Sequence, residues 1–253
     1  MCGIAGWYKN SSSTFTEKVL KSLLVQTSTR GKDATGICWG TDDHEKQLSV
    51  KVLKGPMEAS KFIETKDFKE AIDEILKARW VLVHCRQATH GSPKDNNNNH
   101  PIFNDKGLVI HNGVVYPHQK FKTNGDTDTE QILLSIQELG LDKGVENISG
   151  SLAIAYVDFK KSGFYLYRND QSPLVWGRHN RSLVFASARD ILKDSLHPKR
   201  LFMNVTCLKA EYMPSHIMYH VTTDGIEVVL KRKKEQYPIF TFGGNEEWLG
   251  LLG

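Results

Sequence analysis

The sequence is poor in cysteine, and the cysteines that it has are far apart. The 253 residues include only four, Cys2, Cys38, Cys85 and Cys207. No two of them have the CxxC spacing of thiolate zinc sites, and nothing indicates a disulfide framework. This usage fits a reducing compartment, so we expect a cytoplasmic protein.

Long apolar runs are also missing. Polar residues 9–13 interrupt the N-terminal segment, which excludes a secretory signal region, and no later stretch is long enough to cross a bilayer. The net charge is only +4, from 33 Lys and Arg against 29 Asp and Glu. One basic run, at 231–234, is typical of a solvated strand end, so we expect no nucleic-acid or membrane partner.

The composition is that of a globular protein, with 40% hydrophobic and 25% charged residues. We predict one domain over residues 2–235 and a C-terminal tail over residues 236–253. The tail carries an apolar strip around Trp248, Leu249, Leu251 and Leu252, which we interpret as a docking surface for a partner.

Hydrophobic periodicity predicts strands and helices along the chain. Strands are predicted at 4–7, 35–39, 49–53, 80–83 and 108–110, and helices at 16–26, 68–76 and 132–139. Thr16 is the predicted cap of the first helix, and Asp126 or Thr127 that of the last. After residue 150, short runs at 152–157, 164–167, 174–176 and 183–186 predict an antiparallel sheet, and later strands are predicted at 206–209, 216–220 and 226–230.

The first two residues can provide a nucleophile together with its base. Removal of Met1 would make Cys2 the N-terminus and place an α-amine of pKa about 8 beside a thiol of pKa about 8.5. The amine can then accept the thiol proton directly or through one water, so no histidine is required. Taken alone, Cys2 is equally well explained as an ordinary cysteine, and distant residues must decide.

Three later segments place polar groups where a strand meets a loop. Arg86 follows the strand at 80–83, and the asparagine-rich stretch 95–101 that comes next is interpreted as a mobile flap beside the site. The strand at 108–110 is predicted to end in residues 111–113, where Asn112 and Gly113 form either a tight hairpin turn or an amide aimed into a cleft.

Five segments occur in this order: MCGIAGW, TRGKDATG, HCRQATHG, IHNG and GDTDTE. Together they resemble the class II glutamine amidotransferases, a branch of the N-terminal nucleophile hydrolases, and are most similar to the glutaminase domain of glucosamine-6-phosphate synthase. The resemblance covers Cys2 to about Asp190. It implies an α+β fold, a four-layer αββα sandwich in which two antiparallel sheets pack face to face between helical layers.

The resemblance implies a catalytic group of three residues. Cys2 would attack the side-chain carboxamide of L-glutamine to give a γ-glutamyl thioester and ammonia, and water would then release glutamate. The Asn112 side-chain amide and the Gly113 backbone N–H would stabilise the oxyanion of the tetrahedral intermediate.

The resemblance also implies how glutamine is held. Arg86 would bind the α-carboxylate in a two-pronged hydrogen bond, and Asp128 would pair with the ammonium. Thr89 and His90 lie where the family contacts the carboxylate end, and Arg30 lies where the family uses an arginine to order the nucleophile region. No metal and no cofactor is implied.

The likeness stops before the part of such enzymes that uses ammonia. About sixty residues follow Asp190, which is too few for a sugar isomerase, a phosphoribosyltransferase or an adenylating domain. We therefore expect a stand-alone glutaminase with a separate acceptor synthase as partner. The sequence departs from the synthase pattern at Gln87, where an aromatic residue is common, and in the long asparagine-rich stretch, and both departures bear on loop closure.

Three alternatives remain. A metal site can be assembled from His84, Cys85, His90, His100 and His111, but His84 and Cys85 would point to opposite sides of a strand. An inactive scaffold module would not need the intact set of catalytic residues. An N-terminal nucleophile amidase could act on another small amide, although Arg86 with Asp128 favours a free α-amino acid.

Overall fold

The structure, a computed structural model, describes residues 2–41, 49–89, 91–196 and 209–232. The strands are β1 (Gly3–Tyr8), β2 (Ala34–Thr41), β3 (Ser49–Gly55), β4 (Trp80–Arg86), β5 (Ile102–Phe103), β6 (Gly107–Pro117), β7 (Ile148–Asp158), β8 (Phe164–Arg168), β9 (Val175–His179), β10 (Ser182–Ala186), β11 (Glu211–Tyr212), β12 (Ile217–Thr222) and β13 (Gly225–Lys231). The helices are α1 (Glu17–Thr27), α2 (Ala59–Phe62), α3 (Lys66–Lys77), α4 (Asp128–Glu146) and α5 (Arg189–Leu196).

The helix starts follow the capping rules. Thr16 caps α1 as predicted, because its hydroxyl accepts a hydrogen bond from the Val19 N–H at 3.3 Å. Thr127, not Asp126, caps α4, and Asp128 is therefore the first residue of that helix. A functional side chain is thus placed at a helix start by its neighbour's cap.

The strands form two antiparallel sheets. The first has the order β11-β9-β10-β1-β4-β2-β3, and the second the order β13-β12-β8-β7-β6-β5. Helices α1, α2, α3 and α5 cover the outer face of the first sheet, and α4 covers that of the second. The architecture is the predicted αββα sandwich.

Three apolar cores separate the four layers, as alternation along the strands requires. Residues 4, 80 and 82 of the first sheet meet residues 108 and 110 of the second in the central core. Their sequence neighbours point the other way, into the two outer cores against the helices. The direction of every side chain near a strand end is therefore set by its position in this alternation.

Two predictions about strands are wrong. The strand predicted to end in residues 111–113 continues as β6 to Pro117, because it pairs along its whole length with β7. The four strands predicted between residues 152 and 186 do not form one sheet, because β9 and β10 join the first sheet beside β1 while β7 and β8 lie in the second.

Some predicted features lie outside the described residues. They include residues 206–208 of one predicted strand and the C-terminal tail with its apolar strip at 248–252. Within the described part of the chain, no helix is both long enough and apolar enough to span a membrane.

Candidate active site

Two strands of the first sheet bring Cys2 beside Arg86. Gly3 pairs with Cys85 in the antiparallel register of β1 and β4, so the next position along places Cys2 opposite Arg86. Ile4 and Leu82 lie on the same side of these strands and fill the central core. By the same alternation, Cys2 and Arg86 lie on the side of the first sheet that faces the second.

The second sheet supplies Asn112 from the middle of β6. Leu108 and Ile110 point into the central core, so Asn112, two residues further on, points the same way. His111 points to the opposite side, where its Nδ1 lies 3.2 Å from the hydroxyl oxygen of Thr129 in α4. Asn112 therefore faces the sheet that carries Cys2 and Arg86.

The Asn112 side chain is buried without a partner. It is only 1% exposed, and neither its amide nitrogen nor its amide oxygen has a hydrogen-bond partner among the described residues. A buried amide left unpaired costs about 1–3 kcal/mol. Such a group is one that a bound molecule can satisfy.

Gly113, the next residue, has a backbone that only glycine adopts easily. Its φ is +146°, and a Cβ atom there would overlap the carbonyl oxygen of Ser151 in β7. The Asn112–Gly113 pair is thus a special conformation inside a strand, not the hairpin turn that the sequence also allowed.

Cys2 is partly buried and held at its backbone. The Arg30 Nε donates a hydrogen bond to the Cys2 carbonyl at 3.0 Å, and the Cys2 thiol donates to the Gln87 carbonyl at 3.5 Å. Burial raises the pKa of the Cys2 thiol, an effect that the charge of Arg86 opposes and that of Asp128 reinforces. The thiol therefore needs a base to become a nucleophile.

Arg86 is 4% exposed and already engaged by the protein. Its Nη1 donates to the side-chain oxygen of Asn99 at 2.9 Å, and its Nη2 donates to the carbonyl of Gly91 at 2.9 Å. These contacts fix the direction of the guanidinium. The predicted carboxylate-binding arginine is thus a clamped group rather than a mobile one.

Asp128 is half-buried at the start of α4. One carboxylate oxygen accepts from the Val115 N–H at 2.9 Å, and the other accepts from the Thr129 hydroxyl at 3.4 Å. Because Val115 lies two residues after Gly113, Asp128 ties the helix to the strand that carries Asn112. Its charge acts on both Cys2 and Arg86.

The three remaining predicted site residues, Arg30, Thr89 and His90, differ in where the structure places them. Arg30 lies in contact with Cys2, whereas Thr89 is exposed in the loop after β4 and makes no hydrogen bond that the structure describes. His90 lies outside the described residues. The structure thus brings Arg30 into the site and leaves the role of Thr89 and His90 a prediction.

Sequence reasoning missed several supporting residues. Asp33 accepts hydrogen bonds from the Ala88 N–H at 2.8 Å and the Gln87 side chain at 3.2 Å, and so holds the loop after β4. It lies in TRGKDATG, so the motif itself contained the signal. The Ser172 hydroxyl donates to the Asn112 carbonyl at 3.0 Å, and no local pattern marks that serine.

Three of the histidines proposed for a metal site are buried and bonded to the protein instead. His84 Nε2 donates to the His111 carbonyl at 3.1 Å, and the His111 N–H donates to His100 Nδ1 at 3.3 Å. Burial lowers the pKa of His84 to about 3 and that of His100 well below its usual value, so both are neutral. No group of three or more His, Cys, Asp or Glu in the described ranges is arranged to hold a metal ion.

The chain is similar in sequence to known proteins. Residues 70–231 match a family described as "Glutamine amidotransferase domain". A glutamine–fructose-6-phosphate aminotransferase (isomerizing) of Shouchella clausii is 28% identical over 205 residues, which cover 74% of this chain and 32% of the relative. The corresponding protein of Thermococcus kodakarensis is 31% identical over 209 residues, which cover 74% of this chain and 32% of that relative. The chain thus spans about one third of the length of the curated relatives.

Solved structures share the fold. A glutamine phosphoribosylpyrophosphate amidotransferase from B. subtilis, complexed with ADP and GMP, superposes with a TM-score of 0.63 at 16% identity, over 90% of this chain and 49% of that one. A glutamine aminotransferase class-II domain protein from Silicibacter pomeroyi gives a TM-score of 0.55 at 14% identity, over 92% and 100%. With the family match, the sandwich and the site geometry in agreement, the chain belongs to the glutamine amidotransferase domain family, as a class II enzyme of the N-terminal nucleophile type.

Proposed function

We propose that this chain hydrolyses L-glutamine to L-glutamate and ammonia through a γ-glutamyl thioester on Cys2, and that the ammonia passes to a separate acceptor enzyme. The observation that carries the proposal is the Asn112 amide, which is buried and without a partner in the described part of the chain. A tetrahedral intermediate needs donors already in place for its oxyanion. Asn112 Nδ2 and the Gly113 N–H would be those donors.

The chemistry needs a base for the thiol. Burial raises the pKa of Cys2, so little thiolate is present until a neighbouring group accepts the proton. After removal of Met1, the free α-amine of Cys2 would accept it. The sulfur then bonds to the amide carbon, and the C–N bond breaks. The proton passes to the leaving nitrogen to form ammonia, and water cleaves the thioester to glutamate.

Two opposite charges would orient the substrate. Arg86 is held with its guanidinium fixed, as recognition of a planar carboxylate requires. Asp128 carries the opposite charge and is fixed at a helix start. A free α-amino acid has a carboxylate and an ammonium to match them, which favours glutamine over a simple amide.

The acceptor enzyme is proposed to be a separate protein. The curated relatives are named as transferring an amino group to fructose 6-phosphate, and the matched residues correspond to only one third of their length. Residues 236–253 are proposed as the docking tail. Deletion of residues 243–253 should weaken stimulation by the partner and leave basal hydrolysis nearly unchanged. Glutamate release measured with and without candidate synthases tests this.

The hydrolysis itself is tested on the purified chain with Met1 removed. Glutamate and ammonia should appear in equal amounts from glutamine. Asparagine, a γ-glutamyl anilide and simple primary amides test the alternative amidase function. Faster turnover of a simple amide than of glutamine would favour that alternative, and no turnover of any of them would favour an inactive scaffold.

A further inference from the structure

The sequence suggested that the asparagine-rich segment 95–101 is a flap, but part of this segment is buried in the fold. Asn96–Asn98 form a short 3-10 turn, and Asn98, Asn99 and His100 are at most 4% exposed. Asn96 and Asn97 remain exposed. Buried polar side chains are almost always hydrogen-bonded, so the partners of the buried members indicate what the segment does.

Asn99 uses its whole side-chain amide. Its oxygen accepts from Arg86 Nη1 at 2.9 Å, and its nitrogen donates to the Pro93 carbonyl at 2.7 Å and to the Asn96 side-chain oxygen at 3.1 Å. Asn99 is therefore fixed by its own segment while it holds Arg86. An arginine that is ordered before the substrate arrives loses less rotamer freedom on binding.

His100 acts on the other end of the site. Its Nδ1 accepts from the His111 N–H, while His84 donates to the His111 carbonyl, and the rings of His84 and His100 lie 3.8 Å apart between centroids. Both peptide groups that flank His111 are thus held. The second of them leads directly into Asn112.

Lys54 of β3 fixes the backbone on both sides of His100. Its ammonium donates to the Asn99 carbonyl at 2.7 Å and to the Pro101 carbonyl at 3.0 Å, on either side of His100. A Cβ at Gly36 in β2 would overlap the His100 carbonyl, so the segment also lies directly on the first sheet. The backbone of Asn99 and His100 is therefore fixed independently of the contacts that their side chains make at the site.

We propose that Asn99 and His100 are positioning residues that set the two ends of the glutamine site separately. Asn99 fixes Arg86, and His100 fixes the His111 N–H and packs on the ring of His84, which holds the peptide between His111 and Asn112. This inference rests on the proposed function of the same site. It assigns adjacent residues to different steps, because Arg86 acts in binding while Asn112 acts in the transition state.

The expected result is therefore a split in kinetic constants. Asn99→Ala should raise KM for glutamine about tenfold with little change in kcat, because a hydrogen bond to a charged group is lost. His100→Ala should lower kcat about tenfold with little change in KM. His100→Asn should recover much of kcat, since its side-chain oxygen can accept from the His111 N–H.

Matched controls separate this role from a general loss of structure. Asn97→Ala removes an exposed asparagine of the same run and should change neither constant. Asn99→Ser serves if Asn99→Ala does not fold, because its hydroxyl ends short of Arg86. In an Arg86→Lys background, Asn99→Ala should add much less than it does alone, since it acts through the guanidinium.

The steady-state constants of the purified full chain and its variants decide the matter, with thermal unfolding recorded for each. A raised KM at Asn99→Ala with kcat unchanged, together with a lowered kcat at His100→Ala with KM unchanged, supports the inference. Two results overturn it while the wild type still hydrolyses glutamine. One is that both variants raise KM and lower kcat together, in proportion to their loss of thermal stability. The other is that neither variant changes either constant. A wild-type chain without any glutamine hydrolysis overturns the proposed function instead, and this inference with it.

Discussion

Arg86 and Asn112 are assigned to the same proposed site, but their side chains differ in whether the protein already binds them. Arg86 donates to Asn99 and Gly91, whereas the Asn112 amide has no partner among the described residues. A group that binds substrate benefits from being fixed in advance, and a group that stabilises a transition state must keep its donor unused until charge develops. Under the proposed function, this contrast would separate an end that recognises the substrate from an end that acts in the chemical step.

The same contrast appears in the elements that carry the two residues. Arg86 ends β4, next to a loop held by Asp33. Asn112 lies within β6, an eleven-residue strand paired throughout with β7. A group within a long paired strand keeps its position when loops move. We therefore expect changes around Arg86 to affect glutamine binding and changes around Asn112 to affect turnover.

The largest effect is expected at the nucleophile that both ends serve. Cys2→Ala should lower kcat by about 10⁴-fold or more without unfolding the chain, because no bond to the substrate can form. Glutamate release and thermal unfolding are the measurements. Protein with Met1 retained should be equally inactive, and full activity with Met1 retained, shown by intact mass, would refute the role of the α-amine.

Asn112→Ala should lower kcat by about 10²- to 10³-fold with little change in KM. Removing the unpaired amide relieves its cost of burial, while the cavity left behind acts in the opposite direction, so the free energy of unfolding should change by less than about 1 kcal/mol. Steady-state kinetics and denaturant unfolding test both statements together. A large loss of stability with unchanged kcat would show that the amide is structural.

Arg86→Lys should raise KM for glutamine by about 10- to 30-fold, because an ammonium replaces a planar two-pronged donor. Unlike Asn112→Ala, it should also lower the free energy of unfolding, by about 1–3 kcal/mol, since Asn99 and Gly91 lose a shared partner. Asp128→Asn should raise KM through the ammonium of glutamine. Normal glutamine binding in both variants would refute these assignments.

The last effect concerns stability and not the kinetic constants, and it is expected from pH, through the neutral His84 behind Asn112. Its pKa is about 3 in the folded chain, against about 6.5 when unfolded, so the unfolded chain binds more protons between these values. Stability is therefore full above about pH 6.5 and is lost as pH falls toward 3, by at most about 1.4 kcal/mol per unit.

Denaturant unfolding from pH 7 to pH 4 tests this expectation. The loss of stability should be shallower for His84→Gln, which keeps a donor for the His111 carbonyl but does not titrate. His118→Gln, at an exposed position, is the matched control. Identical slopes for the wild type and His84→Gln would contradict the assigned protonation state.

The elements near the nucleophile could be predicted because their signals are local. β1 and β4 are apolar runs, Thr16 is a hydroxyl cap before a periodic stretch, and Asp128 follows a cap of the same kind. The five motifs indicated, through the family that they resemble, that Cys2, Arg86 and Asn112 belong to one site. Apolar period and capping chemistry depend on residues a few positions apart, and a single sequence contains that information.

The rest depended on contacts between distant residues. An Asn–Gly pair locally favours a turn, yet β7 pairs across it and keeps Asn112 and Gly113 inside a strand. Nothing local separates Asn99 from the asparagines before it, because its burial comes from Arg86 and Lys54, which lie on other strands. Helices α2 and α5 are short, and they are fixed by packing on the first sheet.

The most direct test of the account is to trap the intermediate. The chain with a free Cys2 is mixed with glutamine, quenched in acid within the first turnovers, and analysed by intact mass and peptide mapping. We expect a protein heavier by one glutamyl group, attached at Cys2, that is absent from Cys2→Ala and scarce in Asn112→Ala. Steady release of glutamate with no adduct, or an adduct on a residue other than Cys2, would contradict the account.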